Sequence, residues 1–126
     1  MAADAALAPR QLIFATKVNR TPVMNQNGDH IGHIEDLAIE KRTGQVAYAV
    51  LSCGGFLGLG ERLHPLPWSL LTYDPTVNAY IVPLNKDQLH AAPAYSKDEL
   101  ADIGDSDERY REHVYDYYRA FEPGVY

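Results

Sequence analysis

Residues 51–68 read LSCGGFLGLGERLHPLPW, with Gly54, Gly55, Gly58 and Gly60 inside seven positions. A glycine cluster after a β-like run raises the possibility of a phosphate loop. Such a loop needs a helix directly behind it, so that backbone N–H groups and the helix dipole converge on the anion. Here the following residues are Glu61 to Pro67, and Pro65 and Pro67 prevent an ordinary helix from starting. Nor does a Gly-Lys-Ser or Gly-Lys-Thr signature occur. The glycines therefore read as a connection between two strands, with Phe56, Leu57 and Leu59 as an apolar tip fit for contact with a partner.

Working back from this stretch, QVAYAVLSC (45–53) is the most β-like segment. Val46, Tyr48 and Val50 alternate with Ala47, Ala49, Leu51 and Cys53, so both faces are apolar and both need cover. One cover is the sheet or barrel core. The other is a helix or a second subunit. Lys41-Arg42-Thr43-Gly44 and Asn25-Gln26-Asn27-Gly28 read as hairpin turns. Between them, HIGHIEDLAIE (30–40) carries Ile31 and Ile34 with opposite parity. Both point inward only if the strand is irregular, which predicts a bulge near residues 32–36. Upstream, LIFATKV and PVM read as short β-prone pieces. Residues 1–10 read as a loose tail and not as a signal peptide, since no basic stretch precedes an uninterrupted apolar one.

Working forward, Pro65 and Pro67 lie two apart, so their missing N–H groups share one side, which in a strand is a sheet edge or a break in pairing. A turn at Asp74-Pro75 leads to a strand, AYIVPL (79–84). Asn85 and Gln88 have capping-box spacing for a short helix ending before Pro93. From Ser96 the chain reads as polar loop and then helix, with Asp105 and Glu108 at capping spacing. Tyr110, Val114, Tyr117, Tyr118 and Phe121 fall on one helical face, and Pro123-Gly124 ends the helix. The organisation predicted is a tail (1–10), one β domain (11–95), and a loop with an amphipathic helix (96–126).

The chain has 126 residues and a formal net charge of −6. The acidic balance argues against direct nucleic-acid binding, which needs clustered Lys and Arg, and against an anionic membrane surface. No run reaches the ~18 apolar residues of a membrane span, so a cytoplasmic protein is expected. The single cysteine, Cys53, forms no internal disulfide and reads as a small core residue.

Catalytic patterns are absent from the sequence. No HExxH, CxxC or GxSxG motif occurs, and Glu35-Asp36, being adjacent, point apart on a regular strand. His30 and His33 are three apart and would share a site with Glu35 or Asp36 only across a bulge, a weak basis for a metal site. His64, set among apolar residues, reads as a packing residue.

Taken together, NQNGDHIGHIEDLAIEKRTGQVAYAVLSCGGFLGLGERLHPLPWSLL (25–71), extended more loosely through AYIVPLNKDQLHAAPAY, resembles the PRC-barrel family. That family includes the cytoplasmic domain of the reaction-centre H subunit, the C-terminal domain of a ribosome-maturation factor, and stand-alone bacterial and archaeal proteins. The resemblance implies a mainly β fold, a small barrel of about six short strands, here with a C-terminal amphipathic helix. It implies a role in protein–protein contact and assembly, with no catalytic residues to carry over. A membrane helix like that of the H subunit is not seen, nor is a counterpart of the ribosome factor's N-terminal domain, so the chain is most similar to the stand-alone bacterial members. The expectation is a non-enzymatic binding module without a cofactor, a homo-oligomer and most simply a dimer, meeting an unidentified protein partner. Its contact surface is expected at Phe56, Leu57, Leu59, Tyr110, Tyr117, Tyr118 and Phe121. The alternatives are a small-ligand or metal-responsive sensor at His30 and His33, and an enzyme acting on a phosphorylated substrate.

Overall fold

The computed structural model describes residues 12–53, 62–103 and 108–121. Six strands form one sheet: β1 (Pro22–Asn25), β2 (His30–Ile39), β3 (Val46–Ser52), β4 (Leu63–Pro67), β5 (Thr72–Asp74) and β6 (Ala79–Val82). Their order across the sheet is β4-β3-β2-β1-β6-β5. β1 and β6 run parallel, and every other neighbouring pair is antiparallel. The mainly β class and the strand number agree with the sequence reading. The sheet itself does not close, for β4 and β5 stand at its two ends.

The turns form where the sequence places them. Gly28 adopts φ +87°, a conformation that favours glycine, and its N–H donates to the Asn25 carbonyl. Asn25 is itself buried, and its side-chain oxygen accepts the N–H groups of Asn27 and Asp29, both at 2.9 Å. The second turn closes through the Gly44 N–H to the Glu40 carbonyl at 2.8 Å.

The pairings of β2 contain three register shifts, two of which put an additional residue on β2 itself and one, between Ala38 and Ile39, on β3. Val23 pairs with Gly32 while Met24 pairs with His30, so Ile31 is the additional residue against β1. Ile34 pairs with Leu51 while Asp36 pairs with Val50, so Glu35 is the additional residue against β3. The shifts let Ile31 and Ile34 both enter the core despite their opposite parity. The second lies within the predicted range and the first just before it.

β4 is an end strand, as its prolines predict, yet all five of its residues are buried. Leu63 turns its backbone polar groups away from β3 and exchanges two hydrogen bonds of 2.9 Å with Tyr95. Pro65 and Pro67 share that side two and four residues on, where they offer no N–H. The capping box at α2 (Lys86–Ala91) forms in full, the Asn85 side chain accepting from the Gln88 N–H at 2.7 Å and Gln88 accepting from the Asn85 N–H at 2.9 Å.

Two readings need correction. LIFATKV is not a strand. Ala15–Val18 forms one helical turn, α1, followed by Arg20 at φ +76°. The apolar residues of that segment find no neighbouring strand, and within α1 only Val18 is buried. The stretch after Ser96 is not a loop either. Lys97–Ile103 is a helix, α3, opened by a Ser96–Glu99 capping box at 2.9 and 3.1 Å. The same sequence signal used at Asn85 stood there unread.

The core joins both sheet and helices. Val23, Ile34, Ala49, Leu51, Leu66 and Val82 have no exposed surface. α4 (Glu108–Tyr118) lies on β4, and its Val114 and Tyr118 complete the same cluster. The contacts of α4 with the sheet fall on β4, the strand next to β3.

Candidate interaction surface

The expected contact residues fare differently. Phe56, Leu57 and Leu59 lie outside the described residues. Tyr110 occupies a position on α4. Tyr118 is fully buried and so is a core residue, not a surface one. Tyr117 and Phe121 are half-buried, their rings 5.8 Å apart, and the Tyr117 hydroxyl donates to the Gln88 carbonyl at 2.6 Å. Helical periodicity found the right face, but it could not say that the sheet of the same chain would cover it.

Among the described residues, the exposed large apolar side chains are Leu12, Ile13, Phe14, Ile39 and Val77. Leu12 is 86% exposed, Phe14 78% and Ile39 51%, with Ile13 also exposed. α1, directly after Phe14, packs on β2. β1 accompanies β2 only to the level of Ile34, whose carbonyl accepts the Arg20 N–H and whose N–H donates to Thr21. Beyond that point β2 has only β3 beside it, while β4 follows β3 as far as Tyr48, and Leu37 and Tyr48 are only half-buried. Large apolar side chains in water are costly unless a partner removes them from it. The apolar run at 12–14 was visible in the sequence, but a strand reading hid its exposure.

The charged and titratable groups at the sheet are committed to local structure. The Asp36 carboxylate accepts the Leu37 N–H at 2.8 Å. The Asp74 carboxyl, held below its ordinary value by hydrogen bonds from Thr76, ties the β5–β6 turn. His33 reaches Glu35 at 3.1 Å, and Lys97 lies 4.0 Å from the other Glu35 oxygen. His30 is exposed. The bulge thus brings His33 and Glu35 together, but the described residues contain no group of three or more metal-ligating side chains. Cys53 is half-buried, and burial pushes its thiol up to about 11.

An open cleft of about 380 Å³ lies beside β5 and β6, lined among others by Gln26, Ser69, Thr72, Asp74 and Ile81. Its one carboxylate is the Asp74 group already bound by Thr76, so the cleft presents no acid–base pair.

Comparison with known proteins agrees with this geometry. Residues 10–89, well over half of the chain, match the PRC-barrel domain. An uncharacterised protein of Deinococcus radiodurans is 31% identical over 85 residues. That match takes in 66% of this chain and 30% of the relative, so this chain spans under a third of the relative's length.

Proposed function

We propose that this chain, which belongs to the PRC-barrel domain family, is a non-enzymatic protein-binding module that assembles as a homo-oligomer, most simply a two-fold dimer. The carrying observation is the exposure of the large apolar side chains Leu12, Ile13 and Phe14, just ahead of the α1 turn that packs on β2, and of Ile39 at the end of β2. Burial of such side chains contributes about 1.5–3 kcal/mol each at an interface, and closed two-fold assemblies are the commonest outcome for one repeated surface. The carboxylates of Asp36 and Asp74 support the reading, because each is bound to local backbone.

No helix among the described residues is long and apolar enough to cross a membrane. The acidic balance and the single cysteine support a cytoplasmic setting.

Light scattering across a wide concentration range tests the assembly. A dimer is expected for the native chain and a monomer for Phe14→Ser combined with Ile39→Ser. A native chain that stays monomeric throughout overturns the assembly. A pull-down from the host with the same double variant as control tests for the protein partner, and equal capture by both overturns this surface.

A further inference from the structure

We propose that His64 is an acid-sensitive latch that holds the C-terminal segment, from Pro93 through α4, against β4.

The ring is 1% exposed, and it sits on the second residue of the end strand. Its Nδ1 lies 3.2 Å from the Pro93 carbonyl oxygen. A carbonyl only accepts, so Nδ1 carries the proton and donates. In the neutral form of the ring Nε2 is then the unprotonated nitrogen. One residue away, Leu63 and Tyr95 exchange their two backbone hydrogen bonds. Beyond them α4 lays Val114 and Tyr118 into the core. Pro65 and Pro67 offer no N–H on that side, and among the described residues Leu63 is where the β4 backbone bonds this segment.

The surroundings of the ring oppose a positive charge. Leu51 is its pairing partner on β3. Arg62 at the strand end and His90 on α2 act on it as cations, while Glu99 on α3 faces Arg62. Burial thus lowers the His64 value below its ordinary 6.5, although the Pro93 carbonyl acts in the opposite direction. The sign follows. An opened segment lets the ring take a proton at its ordinary value, the closed one only at lower pH, and acid therefore favours opening.

Hydrogen exchange followed by NMR on the whole chain tests the latch. From about pH 7 to about pH 5, the Leu63 and Tyr95 amides are expected to lose about tenfold in protection after correction for the intrinsic rate. The Asn25 and Ile34 amides, which donate to Asp29 and Thr21 in the other half of the sheet, are expected to hold theirs. In His64→Asn, whose side-chain amide keeps a donor near the Nδ1 position but does not titrate, the loss is expected to disappear. If that variant fails to fold, the native imidazole ¹⁵N signals decide: a neutral Nδ1–H ring at neutral pH, protonating as Leu63 and Tyr95 open, supports the latch. Equal loss at all four amides means global unfolding and overturns it. So does an identical pH profile in His64→Asn, or protection that does not change with pH.

Discussion

Gly32 lies against the carbonyl of Ser52 with no room for a methyl group. A β-carbon built there would stand 2.5 Å from the carbonyl oxygen and 3.5 Å from the Cys53 sulfur. The obstacle is backbone of the neighbouring strand, so it cannot rotate aside. Gly32→Ala is expected to destabilise the fold by about 1–3 kcal/mol. A lowered urea midpoint with an unchanged slope checks this, and an unchanged midpoint refutes it.

Asn25 supplies one oxygen to two backbone N–H groups of the first turn, and its Nδ2 reaches Asp29 at 3.1 Å. Asn25→Ala orphans both donors. The expected cost is about 1–3 kcal/mol, read as a drop in thermal midpoint. Asn25→Asp keeps the acceptor and is expected to lose less of the midpoint than Asn25→Ala.

The hydroxyl of Tyr118 is buried and has no hydrogen-bond partner among the described residues. Removing it releases a polar atom from an apolar site. Tyr118→Phe is expected to leave stability unchanged or raise it by up to about 1 kcal/mol. Tyr118→Ala empties the ring's place in the core and is expected to cost about 3–5 kcal/mol. Paired denaturation curves check both, and a clear loss in Tyr118→Phe would refute the first.

Cys53 has its thiol pushed up by burial, from 9.0 to about 11. At neutral pH the thiolate population is therefore about a hundredfold below that of an ordinary cysteine. Alkylation by iodoacetamide is expected to run about a hundredfold slower in the native chain than in guanidinium. The unfolded thiol ionises first, so the folded state loses stability as pH rises from 9.0 toward 11. Equal alkylation rates in the two states would refute the assignment.

What the sequence revealed and what it withheld have separate physical causes. The turn at Asn27-Gly28, the Asn85–Gln88 box and the proline-marked strand depend on a few adjacent residues, and all three form as read. The bulge in β2 was legible because Ile31 and Ile34 conflict in parity, and only a register shift resolves that conflict. The fate of LIFATKV was not legible. Its apolar residues suit a strand, but strand formation needs a neighbour, and β1 takes the place beside β2 only as far as Ile34. Tyr118 and Tyr117 fall on one predicted face, yet one is core and the other half-exposed, a division set by how α4 seats on β4. Surface at Leu12 and Phe14 went unread for the same reason, since exposure is a property of the assembled fold.

The parallel pairing of β1 with β6 has a kinetic consequence. The two hairpins β1–β2 and β2–β3 form between residues close in the chain. Val23 meets Tyr80 across 57 intervening bonds of sequence, counted as 80 minus 23. Closing so long a loop costs entropy that no local contact returns, which makes it the slow step. The hairpins should therefore be made early and the β6 strand delivered late, with Val23 and Tyr80 setting the refolding rate. A chain recircularised to bring β6 directly ahead of β1 would fold faster, although its finished sheet would be the same.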